Sequence, residues 1–282
     1  MKNSRDERYR PAVSFFLSYK TIIIFILLFP VLNFAQLSYL ETNDLRFVYF
    51  GVIHEYLVPH AARSFENAIS FHKKLFDYTP NEKITVFFHD FKDYGNAGAT
   101  CLPRNRINSA IAPFGFTYET MPASERMSSI FNHELVHIAA LDEASSSDKF
   151  FRSLFLGKVV PSEENPLTML YSYLTVPRMY SPRWYHEGIA VFMETWMAGG
   201  YGRALGSYDE MVFRTLVKEN KPIYDMIGLE SEGTKVDFQV GVNSYLYGTR
   251  FFSYMALKEG PMKLIEWVKR LDGSNAYFAN NQ

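Results

Sequence analysis

The sequence predicts an α+β fold, with its strands in the first half and helices through the second. Three observations carry this. Two short runs of β-branched and aromatic residues, Leu45–Phe50 and Ile84–His89, read as buried strands. Apolar residues recur at helical spacing over 56–76 and again over 123–141. Beyond residue 183 every periodic segment is helical: 184–197, 206–219, 243–258 and 260–270. Strands gathered before helices are the mark of the α+β class.

The chain starts with a targeting pattern. Lys2, Arg5, Arg8, Arg10 and Lys20 form a basic region ahead of an apolar run from Thr21 to Phe34. That run suits a signal peptide, is short for a membrane span, and ends at a small residue, Ala35. Residues 1–35 are therefore assigned as a signal peptide. The protein is expected to be exported, periplasmic or extracellular, and to meet a membrane only through this segment. The alternative is an uncleaved signal anchor.

Residues 36–141 are expected to form an αβ lobe. It holds the strand at 45–50 and a helix at 56–76 with Ala61, Phe65, Ala68, Ile69, His72 and Phe76 on its apolar side. The strand at 84–89 leads into a Gly- and Asn-containing turn region, 90–100. A strand at 106–112 then precedes the helix at 123–141, for which Pro122 and Ser124 are start signals. Residues 142–183, rich in Ser, Pro and aromatics, connect to a helical lobe at 184–282.

Composition narrows the function. The 282 residues are 48% hydrophobic, so the chain is globular. A net charge of −1 argues against a general nucleic-acid binder, and no phosphate-binding glycine loop is present. Cys101 is the only cysteine, which excludes an intrachain disulfide and a thiolate metal site.

The chemistry is concentrated at His133-Glu134-Leu135-Val136-His137. Residues four apart share a helix face, so both imidazoles can point at one metal ion. Glu134 lies about 100° round the axis, within reach of a water beside that ion. Met127, Ile130, Phe131, Leu135, Val136 and Ile138 make this a buried helix, and buried His and Glu need partners or a metal. In the next buried helix, Glu187 and Glu194 are two turns apart and share a face. Glu187 suits a third ligand, and Glu194 suits an outer group that orients a ligating His. His186 is a rival ligand, turned about 100° from Glu187. Gly188 leaves room for close approach of a helix or a substrate. His54, His60, His72 and His89 show no ligand spacing and are expected to be structural or surface groups.

His133-Glu134-x-x-His137 followed by Trp184-x-x-Glu187-Gly188-x-Ala190-x-x-x-Glu194 resembles the gluzincins, the peptidase-MA-like metallopeptidases related to thermolysin. The resemblance spans about residues 45–270. It implies a zincin-like fold, with an active-site cleft between a mixed-sheet lobe and a helical lobe. It also implies one Zn2+ held by His133, His137 and Glu187, with Glu134 as general base. A Tyr or His from the helical lobe often steadies the oxyanion in such enzymes; Tyr247 or Tyr245 is the candidate, with Arg250 as a second donor.

The stretch Asp93-Tyr94-x-Asn96-Ala97-x-Ala99, then Pro103-Arg104-Asn105-x-Ile107, is similar to secreted bacterial members, some of which precede a Tol-type β-propeller. A β-propeller or envelope protein is thus an expected associate. In that subgroup the strand before the metal helix is an edge strand that pairs with substrate backbone, which implies Ile107, Ser109 and Ile111 here. One departure is the connection between the two motifs, 187 − 137 = 50 residues, longer than in many gluzincins. Relatives often continue past the equivalent of Gln282, so the chain is expected to be a truncated product, a fragment or a short member. The function expected is zinc-dependent hydrolysis of peptide bonds. The alternatives are a catalytically silent peptidase-like interaction domain and a zinc hydrolase of some non-peptide bond.

Overall fold

Buried residues recur at alternate positions of the strands at 45–50 and 84–89, and that alternation sets the sheet against the helix at 126–142. The computed structural model describes residues 37–113, 125–197, 202–205, 207–225, 228–229 and 243–270. The targeting segment and the expected start signals Pro122 and Ser124 lie outside the described residues. The fold is α+β. Its strands are β1 (Leu37–Glu41), β2 (Leu45–Phe50), β3 (Ile84–His89), β4 (Ala97–Thr100) and β5 (Arg106–Ala110). They form a mixed sheet in the order β1-β2-β3-β5-β4. β2, β3 and β5 run parallel, and β4 is antiparallel to β5. On one face Leu45, Phe47, Ile84, Val86, Phe88 and Ile107 are buried, as a period of two requires.

The helices in chain order are α1 (Gly51–His54), α2 (Val58–Phe76), α3 (Arg126–Asp142), α4 (Ser146–Leu154), α5 (Leu167–Thr175), α6 (Arg183–Met197), α7 (Ser207–Lys218), α8 (Asn243–Glu259) and α9 (Pro261–Lys269). Helix α3 starts at Glu125, whose carboxylate accepts from the backbone N–H groups of Met127 and Ser128. Phe131 of α3 packs edge-on against Phe47 of the sheet and Phe65 of α2. Each such fully buried aromatic contributes roughly 2 kcal/mol or more. Because α3 is buried on nearly every side, it is a core helix rather than a surface one.

Two expectations about the sheet are corrected. The region 90–100 is not all turn, because its last four residues form β4. Consequently β5 is not the edge strand: β3 takes one side of it and β4 the other. Ile107 and Ser109 are fully buried, and the Ile111 backbone N–H is taken by the His89 carbonyl. With its backbone groups already paired, this segment cannot add a substrate strand. The edge on that side of the sheet is β4.

The connection at 142–183 carries helices α4 and α5 and a 3-10 turn at Pro177–Tyr180. It is pinned at both ends. Buried Asp142 accepts from Tyr78 Oη (2.7 Å), Asn105 Nδ2 (2.8 Å), Arg152 (3.1 Å) and Lys158 (3.0 Å). Buried Arg178 donates to the carbonyls of Ala140 and Lys269 and pairs with Glu143 at 3.0 Å. The sheet face, α2, α3, α6 and α9 share one hydrophobic core, and the described residues from Tyr39 onward fall in one compact unit. Among the described residues, no helix is long and apolar enough to cross a membrane.

Candidate metal centre

Two buried helices supply the site. One turn of α3 carries His133 and His137, and α6 faces them with Glu187 and Glu194. The three atoms His133 Nε2, His137 Nε2 and Glu187 Oε2 form a triangle. Its edges are 3.2 Å between the imidazoles, 3.4 Å from His133 to Glu187 and 3.3 Å from His137 to Glu187. Tetrahedral bonds of the length zinc makes to N and O donors set ligand atoms about 3.3 Å apart. All three edges meet that value, so the group fits a small divalent cation, and these residues lie close enough to hold a metal ion.

A hydrogen-bond reading of the triangle fits less well. Glu187 Oε2 finds no partner of hydrogen-bond geometry, and His133 Nε2 points a lone pair inward when Nδ1 carries the ring proton.

That proton has a place. His133 Nδ1 donates to Glu194 Oε2 at 2.9 Å, which fixes the ring and leaves Nε2 free as a donor to a metal. The two-turn spacing of Glu187 and Glu194 thus places a carboxylate beside each nitrogen of one imidazole, at 3.4 Å and 2.9 Å. Glu194 is held in turn by a bidentate pair with Arg203, both contacts at 2.6 Å. Arg203 Nη2 also lies 3.2 Å from His133 Nδ1. Both groups are donors in this arrangement, so the shared carboxylate holds them rather than a bond between them.

The electrostatics follow. Burial alone pushes His133 down, but Glu187 and Glu194 outweigh it and raise the ring to about 9. A pocket that favours positive charge at this ring favours a cation bound to it. Burial opposes the charge on Glu187, yet His137 and His133 hold it far below the usual carboxylate range. Glu194 is brought down to about 2, burial being overcome by Arg203 and His133. Glu134 behaves differently. Burial pushes its carboxyl up against the pull of His133 and His137, and Oε2 has no hydrogen-bond partner. It is the one carboxylate of the group free to take a proton.

No known family model matches the chain, and no curated protein sequence does so.

Of the remaining expectations, Gly188 is a point of close approach, where α6 meets Gly248 of α8. Tyr247 is placed elsewhere: its ring packs on Phe213 and Tyr224, and its hydroxyl accepts from the Tyr224 backbone N–H. The tyrosine at the site is Tyr245, two residues back on the opposite face of α8. Its ring lies parallel to His133 at 6.1 Å, and burial with the nearby Glu187 carboxylate holds its hydroxyl protonated, well above the usual tyrosine range. Arg183 and Arg203 each place a guanidinium over that ring. Arg250 is bound to Glu210 and Asp209, away from the metal group.

His186 does not join the ligands; burial drives its ring down to about 3, and it stays neutral. His72, buried on α2, donates from Nε2 to the Asn132 carbonyl one residue before the first ligand. The residue that sequence reasoning missed is Arg203. Its signal is Gly202, where an added Cβ would lie 2.2 Å from Thr195, so only glycine lets the chain fold back onto α6 there.

Proposed function

We propose that the protein is a zinc-dependent metallopeptidase of the gluzincin type, with a zincin-like arrangement of sheet and helices. The observation that carries this is the triangle of His133, His137 and Glu187 with a buried, unpartnered Glu134 beside it. Two neutral nitrogens and one carboxylate are a donor set that suits zinc and leaves a coordination position open. A zinc ion held there supplies Lewis acidity and lowers the pKa of a water to near 7.

The chain's own residues do the rest. Glu134 accepts the proton of the attacking water and later passes it to the leaving amine. A raised carboxyl pKa suits that exchange, because the proton must be both taken and returned. Tyr245 donates from its hydroxyl toward the charge that develops on the carbonyl oxygen. Glu194 and Arg203 keep the His133 proton on Nδ1. Among the described residues β4 has no strand on its outer side, where backbone groups would suit an extended peptide. Export follows from the N-terminal pattern and suits a peptidase that acts on envelope or extracellular proteins.

The test is Glu134→Gln. The variant is expected to bind one zinc per chain with unchanged affinity and to lose peptide hydrolysis. Turnover at the parent rate refutes the base assignment, and purified protein that takes up no zinc refutes the metal assignment.

A further inference from the structure

One cation stands where the buried metal group opens to solvent. Arg183 is the first residue of α6, and Glu187 lies one turn on, at i+4. Its Nε is 3.9 Å from Glu187 Oε1, beyond hydrogen-bond reach. The oxygen of Glu187 that faces both imidazoles is the other one, Oε2. The Arg183 side chain is 49% exposed, against 8%, 12% and 15% for His133, His137 and Glu187. An ion pair this long and this exposed adds little to the hold on Glu187.

The guanidinium is nevertheless positioned. It lies over the ring of Tyr245 at 5.7 Å, and Arg203 lies over that ring at 5.6 Å. The two cations differ in what else they meet. Arg203 is 14% exposed and bidentate on Glu194, so it serves the metal group from within. Arg183 serves its mouth. Stacking occupies a face of the guanidinium, whereas its donors lie in the plane and match a carboxylate in two parallel bonds. The positive end of the α6 dipole falls at the same residue and favours an anion there.

We propose that Arg183 selects the substrate by binding a peptide carboxylate one or two residues from the bond that is cut, an inference that rests on the peptidase reading above. Reach sets the position. Arg183 lies one carboxylate's width beyond the metal group, and neighbouring residues of a peptide stand about 3.8 Å apart. A carbonyl at the metal group therefore brings the next residue or the one after it to Arg183. The carboxylate has two sources, the side chain of an Asp or Glu and the terminal carboxylate of the peptide. A Lys or Arg at the same position meets a like charge and is rejected.

The probes are a chymotryptic peptide library and the same library with its carboxyl groups converted to amides, given to the zinc-loaded full chain. Mass spectrometry reads the cut sites. The result expected is a carboxylate at one fixed position beside the cut, with amidation slowing those sites about tenfold or more. Asp or Glu at that position identifies the side chain as the source; cuts at a fixed distance from the peptide end identify the terminal carboxylate. Arg183→Gln is expected to bring the ratio of the two libraries near one. Arg183→Glu is expected to turn the preference to Lys and Arg at the same position, which a merely structural role would not do. Each ratio is internal to one variant, so lost zinc or stability does not imitate it. No carboxylate preference in the parent, or the same preference in Arg183→Gln, overturns the proposal and leaves the peptidase reading standing. A library left uncut by the parent counts against the peptidase reading instead. Capture of peptides by immobilised Glu134→Gln protein then decides, and equal capture of the two libraries, or none, overturns the role of Arg183.

Discussion

Gly248→Ala is the sharpest test of how the site is assembled. An added Cβ at residue 248 would stand 2.0 Å from the Trp184 carbonyl oxygen and 2.8 Å from Gly188 Cα. These are backbone atoms and cannot swing aside. Ordinary contact begins at 3.4 Å, so α8 must move away from α6 by up to 1.4 Å. Tyr245 lies one turn earlier on the same face and moves with it, out of reach of Glu187. Overpacking of this kind costs about 3 kcal/mol. The metal ligands sit on α3 and α6, so zinc affinity is expected to stay within a few-fold of the parent. Loss of a positioned oxyanion donor lowers turnover about a hundredfold. Urea denaturation of the zinc-loaded protein, chelator competition and peptide turnover read these three effects separately. Gly98→Ala is the control, because a Cβ there meets nothing within 4 Å. Parent stability in Gly248→Ala refutes the close helix crossing. Parent turnover with lowered stability refutes the role of Tyr245.

Three more outcomes are expected. Glu194→Gln removes the anionic acceptor of His133 Nδ1 and weakens zinc binding by about 10- to 100-fold in a chelator competition; unchanged affinity refutes its orienting role. His72 is pushed by burial to about 4 in the folded protein, so below pH 6.5 the unfolded chain binds the extra proton. Its contribution is therefore intact at neutral pH and is lost as pH falls from 6.5 toward 4, by up to about 3 kcal/mol. Denaturation midpoints of His72→Gln are expected to fall less steeply over that window, and parallel profiles refute the account. Lys158→Met leaves buried Asp142 with Arg152 as its only cation, and a loss of about 3 kcal/mol in urea denaturation is expected. A neutral effect means that the pair contributes nothing to pinning the connection.

The sequence disclosed the parts of this molecule whose residues must be buried. β2 and β3 alternate large apolar side chains against the core, and α3 is apolar on most sides, with His133 and Glu134 among its few buried polar residues and His137 one turn on. Glu187 and Glu194 were legible for the same reason, as acids on an apolar helix that need a partner. β4 was hidden because Ala97-Gly98-Ala99-Thr100 has little strand propensity; backbone pairing with β5 alone makes it a strand. Without β4, β5 reads as the edge strand. Tyr245 and Tyr247 lie in a helix with aromatics on several faces, so periodicity does not choose between them. The choice rests on Gly248. Tyr245 is three residues before it and shares its face, whereas Tyr247, adjacent in sequence, turns away. A glycine in each of two helices was the signal, and it becomes readable only when the two are known to meet.

The long connection between the two metal helices does not loosen the site, and the reason is where it is fastened. Closing a flexible loop costs free energy that grows only with the logarithm of its length. The cost specific to this chain is holding α3 and α6 in register. Asp142, at the last turn of α3, is tied to Arg152 and Lys158 within the connection, and Arg178 near its end bonds back to Ala140 on α3. Arg178 therefore brings the chain back to α3 five residues before α6 begins. From there the free path to Glu187 is short, and His133, clasped by Glu187 on one nitrogen and Glu194 on the other, sets the rest. The insertion is thus free to change its exposed face without moving the ligands, while a change at Arg178 or Asp142 reaches the metal group without touching it.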